Sequence, residues 1–215
     1  MHSVISPQFV SLIGLPGSGK TTLCRSLAKA LGWPAFVIGD ALRARAATDP
    51  SLREVLDRGE LAPEGIAIEL MREAAQAAAG KGLLIDGFPR HSEQIGVAQD
   101  LFSPWMLLYL RVPPSIAVSR LAGRLFCSRC NWVCPSPSAP VTICPQCGSS
   151  GLKARPEDHP SILCKRVAEA DRRLADLLSD LRSRKLVELE ANESLDAVLR
   201  NAITAIKAFS DDGQS

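Results

Sequence analysis

The segment GLPGSGKT, residues 14–21, fits the pattern G-x-x-x-x-G-K-[ST] at every fixed position. It follows the apolar run 9–13 and precedes a helical pattern of leucines and alanines at 23–31. Glycines let backbone N–H groups converge on an oxyanion, Lys20 can reach the β- and γ-phosphates of a nucleotide, and Thr21 can bind Mg²⁺. A chance match is roughly a one-in-a-hundred event for a chain of this length, even before the strand context is required. The segment therefore predicts a loop that binds a nucleoside triphosphate.

The composition excludes several classes of protein. A chain of 215 residues with 46% hydrophobic and 22% charged residues is typical of one globular domain, with room for inserts. A net charge of +2 does not indicate binding to nucleic acid or to a membrane surface. No segment approaches the roughly 20 apolar residues of a membrane span, and the N-terminus lacks a signal-peptide pattern. We expect a cytoplasmic protein whose seven cysteines are thiols or metal ligands rather than disulfides.

Five short apolar runs predict buried strands, at residues 9–13, 35–38, 82–86, 105–111 and 185–190. Helical patterns separate them, which is typical of a doubly wound parallel α/β sheet covered on both faces. Helices are expected at about 19–31, 51–58, 64–79 and 161–184, the first ending at Gly32 and the third at Gly80. The helical stretches within 40–80 exceed what one crossover needs, so part of 40–66 is predicted to be an inserted cap.

Residues 124–160 are rich in Cys, Pro, Ser and Gly and lack helical periodicity. Within them, CSRC at 127–130 and CPQCG at 144–148 form two C-x-x-C knuckles separated by 13 residues. Two such turns facing each other give tetrahedral sulfur coordination of zinc. A redox pair and two disulfides are the alternatives, but a redox motif would begin a helix after a strand. We expect a structural Zn²⁺ bound by Cys127, Cys130, Cys144 and Cys147.

We expect different roles for the other three cysteines. Cys134 lies in the same segment and could replace one of the four ligands. Cys24 and Cys164 fall in predicted helices, where we expect them to be small core residues.

The segment LLIDGFPR, residues 83–90, carries Asp86 beyond a buried strand, at the edge where open α/β sheets bind ligands. Asp86 can hold Mg²⁺ through water; alternatively it caps a helix and Arg90 is a solvated surface residue. Guanidinium groups bind phosphate bidentately, and although any single arginine could simply be solvated, the combined pattern favours phosphoryl transfer between two nucleotides. The arginines in or beside the inserts are Arg43, Arg120, Arg124, Arg155 and Arg166.

The order of these features resembles the adenylate kinases, specifically the long-lid bacterial form whose lid carries a four-cysteine zinc site. The resemblance covers residues 14 to about 206. The matching stretches are GLPGSGKTT, GDALR, GELAPE, DGFPRHSEQ, SRLAGR, CSRC…CPQCG and ARPEDHPSILCKR. The phosphate loop belongs to a broad class, whereas DGFPR with Gln94 four residues later, L-x-G-R and a C-x-x-C lid are specific to this family. The resemblance implies a P-loop nucleoside monophosphate kinase fold over 1–215, a monophosphate-binding cap at 39–68 and a zinc-binding lid at 124–160.

The resemblance also implies roles for individual residues. ATP is expected to contact Gly17, Ser18, Gly19, Lys20, Thr21, Thr22, Arg120 and Arg124. AMP is expected to contact Ile38, Arg43, Glu60, Leu61, Ala62, Gly87, Phe88, Pro89, Arg90, Gln94, Arg155 and Arg166. Catalysis would rest on positioning and charge neutralisation by Mg²⁺ with Lys20, Asp86, Arg90, Arg124, Arg155 and Arg166. Asp40 is expected to help orient magnesium and phosphates.

Several residues differ from the family pattern, mostly where the base and the lid are bound. Ile38 stands where the family usually has a Thr that contacts the acceptor base. Further differences are His91, Leu125, Cys134, Ala170, Leu174, Asp176 and Ala191. The resemblance implies a monomeric enzyme for MgATP + AMP ⇌ 2 ADP. A kinase for UMP, CMP or another small acceptor, and a degenerate member acting as a nucleotide-dependent binding or regulatory module, are the alternatives.

Overall fold

The computed structural model describes residues 9–78, 82–103, 105–134, 141–181 and 186–212, and the side chains up to Phe209. The central strands are β1 (Phe9–Gly14), β2 (Ala35–Val37), β3 (Leu83–Asp86) and β4 (Trp105–Arg111). The remaining strands are β5 (Leu125–Cys127), β6 (Val133–Cys134), β7 (Leu152–Lys153) and β8 (Leu186–Glu190). Five of them form one parallel sheet in the order β2-β3-β1-β4-β8. The predicted five-stranded parallel sheet is therefore confirmed.

The helices are α1 (Lys20–Leu31), α2 (Ile38–Ala46), α3 (Pro50–Asp57), α4 (Glu64–Ala77), α5 (Gln94–Leu101), α6 (Pro114–Leu121), α7 (Pro160–Asp180) and α8 (Leu195–Asp212). They pack against the sheet in two apolar clusters. Leu84 of β3 belongs to the first cluster, whereas its neighbours Leu83 and Ile85 belong to the second. Because successive strand residues point to opposite faces, the two clusters cover opposite faces of the sheet. Among the described residues, no helix is long and apolar enough to cross a membrane.

The ends of the elements follow local sequence signals. Helix α1 ends at Gly32, whose φ of 67° is the left-handed conformation that glycine adopts without strain, as expected. Helix α3 begins at Pro50 and is capped by Asp49, whose side chain accepts the N–H of Leu52 at 3.1 Å. Helix α7 ends at Asp180, earlier than the expected 184, and residues 182–184 lie outside the described part. The expected end of the third helix, at residue 79 and Gly80, also lies outside it.

The two helical cysteines have different environments. Cys24 on α1 is fully buried, which confirms the expected core position. The same expectation for Cys164 on α7 is wrong, since Cys164 is exposed. Leu163 and Val167 are the buried residues of that turn, and the position after Leu163 is rotated by about 100° away from the core.

Residues 124–160, here called the cysteine segment, contain a small antiparallel sheet in the order β6-β5-β7. These strands are two or three residues long and were not expected from the sequence. A short 3-10 turn, Pro156–Asp158, then leads directly into α7. Residues 135–140 of this segment lie outside the described residues.

Candidate functional site

A cleft of about 830 Å³ lies at the carboxyl ends of the parallel strands, between the phosphate loop, α2 and α3, α7 and the cysteine segment. Ligands bind at this edge of open α/β sheets, and the volume lies in the range of ligand-binding cavities. The predicted site residues that line it are Gly17, Ser18, Gly19, Lys20, Thr21, Thr22, Arg43, Glu60, Leu61, Asp86, Gly87, Pro89, Arg90, Arg120, Arg124, Arg155 and Arg166. The fold thus brings together the loop and the arginines that the sequence singled out.

The phosphate loop requires glycine at two points of close approach. A Cβ atom on Gly14 would lie 2.6 Å from the carbonyl oxygen of Leu110 at the end of β4. A Cβ atom on Gly17 would lie 2.5 Å from the carbonyl oxygen of Ala117 in α6. Both residues also have positive φ, so a larger residue would displace the loop from its neighbours.

Lys20 is the first residue of α1 and lies across the loop. Its Nζ donates to the carbonyl oxygens of Gly14 and Leu15, each at 2.7 Å. Burial lowers the pKa of Lys20 to about 8, against the opposing effect of the Asp86 carboxylate. The ammonium group is therefore held in the site at neutral pH, at a cost that a bound phosphate would offset.

Asp86 ends β3 beside the loop, because Leu12 of β1 and Asp86 are register partners. Its carboxylate accepts a hydrogen bond from the Thr21 hydroxyl. The next helix begins only at Gln94, so the alternative in which Asp86 caps a helix is wrong. Mg²⁺ prefers oxygen ligands, and this adjacent hydroxyl and carboxylate fit such an ion, bound directly or through water.

Two arginines of the cleft share one buried carboxylate. Arg124 donates to both oxygens of Asp158, at 2.7 and 2.8 Å, and Arg166 donates to one of them at 2.9 Å. The side chain of Asp158 is only 4% exposed. A buried, bidentate ion pair fixes the guanidinium planes before any ligand binds. Sequence reasoning missed this role, although the position of Asp158 between Arg155 and Arg166 was a usable signal.

Arg155 is buried and Arg90 is half-buried, and each has few anionic partners in the described part of the chain. Arg155 lies over the Phe126 ring, 5.3 Å from its centroid, and its Nε is buried without a hydrogen-bond partner among the described residues. Arg90 donates from Nε to the carbonyl of Gly87 at 2.8 Å. Burial lowers the pKa of Arg155 to about 9 and of Arg90 to about 10, and neighbouring arginines contribute. Such a cluster of cations favours a polyanionic ligand.

The remaining predicted acceptor residues lie beside the cleft. Ile38, Ala62 and Gln94 line a separate recess of about 10 Å³, together with Leu61, Arg90 and His91. Gln94 is 3% exposed, and its side-chain oxygen accepts the N–H of Arg90 at 2.8 Å. Phe88 is buried in the core, and its carbonyl accepts a hydrogen bond from the Ser11 hydroxyl.

The four predicted metal ligands come together in the cysteine segment. The Sγ atoms of Cys127, Cys130, Cys144 and Cys147 all lie within 4.8 Å of one another. The pairs Cys127–Cys147 and Cys130–Cys144 are each 3.6 Å apart. A Zn–S distance of about 2.3 Å places the sulfurs of a tetrahedron about 3.8 Å apart, so the donor set fits Zn²⁺. The distances exceed the S–S bond of about 2.05 Å in a disulfide, and Cys134 is not part of the group.

The two knuckles have the same backbone turn. Asn131 and Gly148, each four residues after the first cysteine of a knuckle, have φ of 57° and 69°. The N–H of each donates to the carbonyl of that first cysteine, Cys127 or Cys144, at 2.9 Å. Each first cysteine in turn donates its N–H to the carbonyl five residues later, at 2.8 Å. The segment thus builds two equivalent half-sites for one ion.

Sequence reasoning missed two further arginines, one in the site and one beside it. Arg173 lines the cleft seven residues after Arg166, two helical turns along the same face of α7, and that spacing could have identified it. Arg25 on α1 reaches both Asp40 and the backbone of Asn131, at 2.7 Å each. Its sequence context is that of a solvated helix residue and contained no signal.

A family model described as adenylate kinase matches residues 12–204, which includes the loop, the cleft and the cysteine segment. The chain belongs to the adenylate kinase family. An adenylate kinase of Paracoccus denitrificans is 33% identical over 181 residues, covering 79% of this chain and 83% of the relative. Adenylate kinases of Salinispora tropica and Chlamydia pneumoniae are 31% and 30% identical, covering 93% and 91% of this chain and 98% and 95% of theirs. The resemblance found in the sequence motifs is confirmed, and the sulfur cluster supports the zinc-binding form of an adenylate kinase.

Proposed function

We propose that this protein transfers the γ-phosphoryl group of MgATP to AMP and so forms two ADP. The observation that carries the proposal is one cleft with a phosphate loop on one side and several arginines on the others, among them Arg43, Arg90, Arg124, Arg155 and Arg166. A single triphosphate bound at the loop would not require so many cations. Two nucleotides bound end to end, with their phosphates meeting in the middle, would require this number of cations.

The reaction needs no protein nucleophile. An oxygen of the AMP phosphate attacks the γ-phosphorus, and the bond from that phosphorus to the β–γ bridging oxygen breaks as ADP leaves. Lys20 lies where it can balance charge on the transferred group, and Arg124 and Arg166, held by Asp158, need no reorientation. Bound Mg²⁺, held at Thr21 and Asp86, would supply further charge neutralisation.

The acceptor is proposed to bind between residues 39–68 and the end of β3. Arg43 and Arg90 would hold its phosphate, with Arg155 and Arg166 at the junction of the two nucleotides. The base of the acceptor would enter the small recess beside Ile38, Ala62 and Gln94 and widen it. There it would lie against the backbone of Gly87, Phe88 and Pro89. Glu60 and Leu61 would close the other side. The adenylate kinase relatives support AMP as that acceptor.

Residues 124–160 are proposed to act as a lid over the ATP phosphates, with Arg120 and Arg124 at its base. A structural zinc would hold the lid together, because strands of two or three residues bury little apolar area. Closure would exclude water and so prevent ATP hydrolysis. We also propose that the whole chain works as one kinase domain, as a monomer and in the cytoplasm.

The test is the direct conversion of ATP and AMP to ADP by the purified protein, followed by ³¹P NMR without coupling enzymes. Two ADP should appear for each ATP consumed, and inorganic phosphate should not accumulate. ATP loss that requires no AMP, or that yields phosphate, would contradict the proposal. Binding of both nucleotides without turnover would favour the regulatory-module alternative.

A further inference from the structure

We propose that Arg25 is a positioning residue that couples closure of the cysteine segment to the orientation of Arg43, and hence to the affinity for AMP. The inference rests on the proposed function, in which Arg43 binds the acceptor phosphate. Arg25 lies on α1, in neither the cysteine segment nor residues 39–68. It nevertheless contacts both.

The contacts form a continuous chain. One terminal nitrogen of Arg25 donates to the backbone carbonyl of Asn131 at 2.7 Å, in the turn that closes the first cysteine knuckle. The other terminal nitrogen donates to Oδ2 of Asp40 at 2.7 Å. The second oxygen of Asp40 accepts from Arg43 at 2.6 Å. One planar guanidinium group therefore bridges a knuckle and the carboxylate that orients Arg43.

This arrangement differs from an ordinary surface ion pair. Arg25 is 36% exposed and Asp40 only 20% exposed, and both prongs of the guanidinium are used at good distances. Arg43 also lies 3.8 Å from Glu157 of the 3-10 turn, so a second link joins the same two regions. A two-pronged contact has geometric requirements that a single point charge cannot meet.

The consequence is a thermodynamic coupling between the two nucleotides. When the segment closes over ATP, the Asn131 carbonyl orients Arg25, and Asp40 and Arg43 then adopt the arrangement that binds a phosphate. Because linkage is reciprocal, AMP bound at Arg43 favours closure by the same factor. The chain Asn131–Arg25–Asp40–Arg43 would thus make each nucleotide tighten the binding of the other.

The test measures AMP dissociation constants by calorimetry, with and without a saturating non-hydrolysable ATP analogue. In the wild-type protein the analogue should tighten AMP binding, and the ratio of the two constants is the coupling factor. Arg25→Ala should reduce that factor by about fivefold or more, the lower end of typical couplings. Lys29→Ala removes a cation one turn further along α1, at an exposed position, and should leave the factor unchanged.

Arg25→Lys separates the charge from the bridge. Lysine keeps the cation but has one head group, so it should lose the coupling while AMP binding without the analogue changes little. An Arg25→Lys protein with wild-type coupling would overturn the proposal, and so would an unchanged factor in Arg25→Ala. If Arg25→Ala does not fold, the Arg25→Lys result decides. Failure of the proposed function would look different, since the wild-type protein itself would not convert ATP and AMP to ADP.

Discussion

Lys20 shows how the fold prepares a single cation for phosphate. It follows the left-handed Gly19 at the start of α1, so its side chain must turn back over the loop. Loop carbonyls and the Asp86 carboxylate stabilise its charge, while burial and the arginines of the cleft oppose it. The balance leaves an ammonium group that is charged at neutral pH and that a bound phosphate would stabilise further.

Lys20→Ala should lower kcat for phosphoryl transfer by about 10²- to 10³-fold, the usual effect of removing one preorganised charge-stabilising group. The fold should persist, since the side chain contacts the loop rather than the core. Steady-state kinetics and thermal melting measure the two effects, with Lys29→Ala as the control on the same helix. Wild-type kcat in Lys20→Ala would contradict the phosphate-loop assignment.

The lowered pKa of Lys20 also predicts a pH dependence. A cation with a pKa of about 8 is protonated below that pH and neutral above it, so the free enzyme loses this charge as pH rises through 8. Since kcat/KM reports groups of the free enzyme, kcat/KM for ATP should fall between pH 7 and 8.5. Lys20→Arg should be less active but flat over this range, because arginine keeps its proton. If kcat/KM for ATP of the wild-type protein does not change between pH 7 and 8.5, the loss of the Lys20 charge is not what limits ATP use in this range.

At the scale of elements, the cysteine segment depends on metal more than on packing. Ile143 is 60% exposed, whereas Cys127 and Cys144 are almost fully buried around the shared centre. Each knuckle closes through its own backbone hydrogen bonds, and Ser128 of the first knuckle donates its N–H to Gly151, just after the second, at 2.9 Å. The four sulfurs would bind one ion and so join the two knuckles directly. Loss of the ion should therefore loosen this segment and spare the parallel sheet.

The purified protein should contain close to one zinc ion per chain, measured by elemental analysis after preparation under reducing conditions. Cys130→Ser should lower the zinc content and lower kcat, and protease should cleave the cysteine segment before the core. Cys164→Ser is the matched control, since Cys164 is exposed on α7 and distant in sequence from both knuckles. Metal-free protein with full activity and unchanged melting would rule out a structural ion.

Local signals in the sequence predicted the elements but not the contacts between distant ones. The five strands of the parallel sheet, the end of α1 at Gly32 and the paired cysteines each depend on residues within a few positions of one another. The link from Arg25 to Asn131 spans 106 positions, and the fold must exist before it can be recognised. The same holds for Asp158 with Arg124 and for the exposure of Cys164, which depends on how α7 is rotated against the sheet.

At the scale of the whole molecule, the regions that would hold the two nucleotides already touch. Gly59, between α3 and α4, has a φ of 75°, and a Cβ atom there would lie 3.0 Å from Cδ of Arg166 on α7. Arg43 and Glu157 add a contact between residues 39–68 and the cysteine segment. We therefore expect these regions to separate as two nucleotides enter and leave, and opening to contribute to the turnover rate.

The last prediction concerns which acceptor this arrangement prefers. Ile38 is 1% exposed and cannot make the polar contact to a base that Thr would make. One lost hydrogen bond of that kind is worth on the order of 1 kcal/mol, or several-fold in affinity. Gln94 is held by the backbone of Arg90, and backbone contacts to the base at Gly87 and Ala62 do not need a hydroxyl at position 38. We therefore expect AMP to remain the preferred acceptor with a raised KM.

The measurement is kcat/KM for AMP, GMP, CMP and UMP with ATP as the donor. AMP should give the highest value, and Ile38→Thr should lower its KM several-fold while changing kcat little, because the residue at position 38 lines the recess and carries no charge in either variant. Thermal melting of Ile38→Thr checks that the buried hydroxyl has not destabilised α2. A pyrimidine monophosphate whose kcat/KM exceeds that of AMP tenfold would contradict the assignment of AMP as the acceptor. The phosphate loop and the arginines would then belong to a different nucleoside monophosphate kinase.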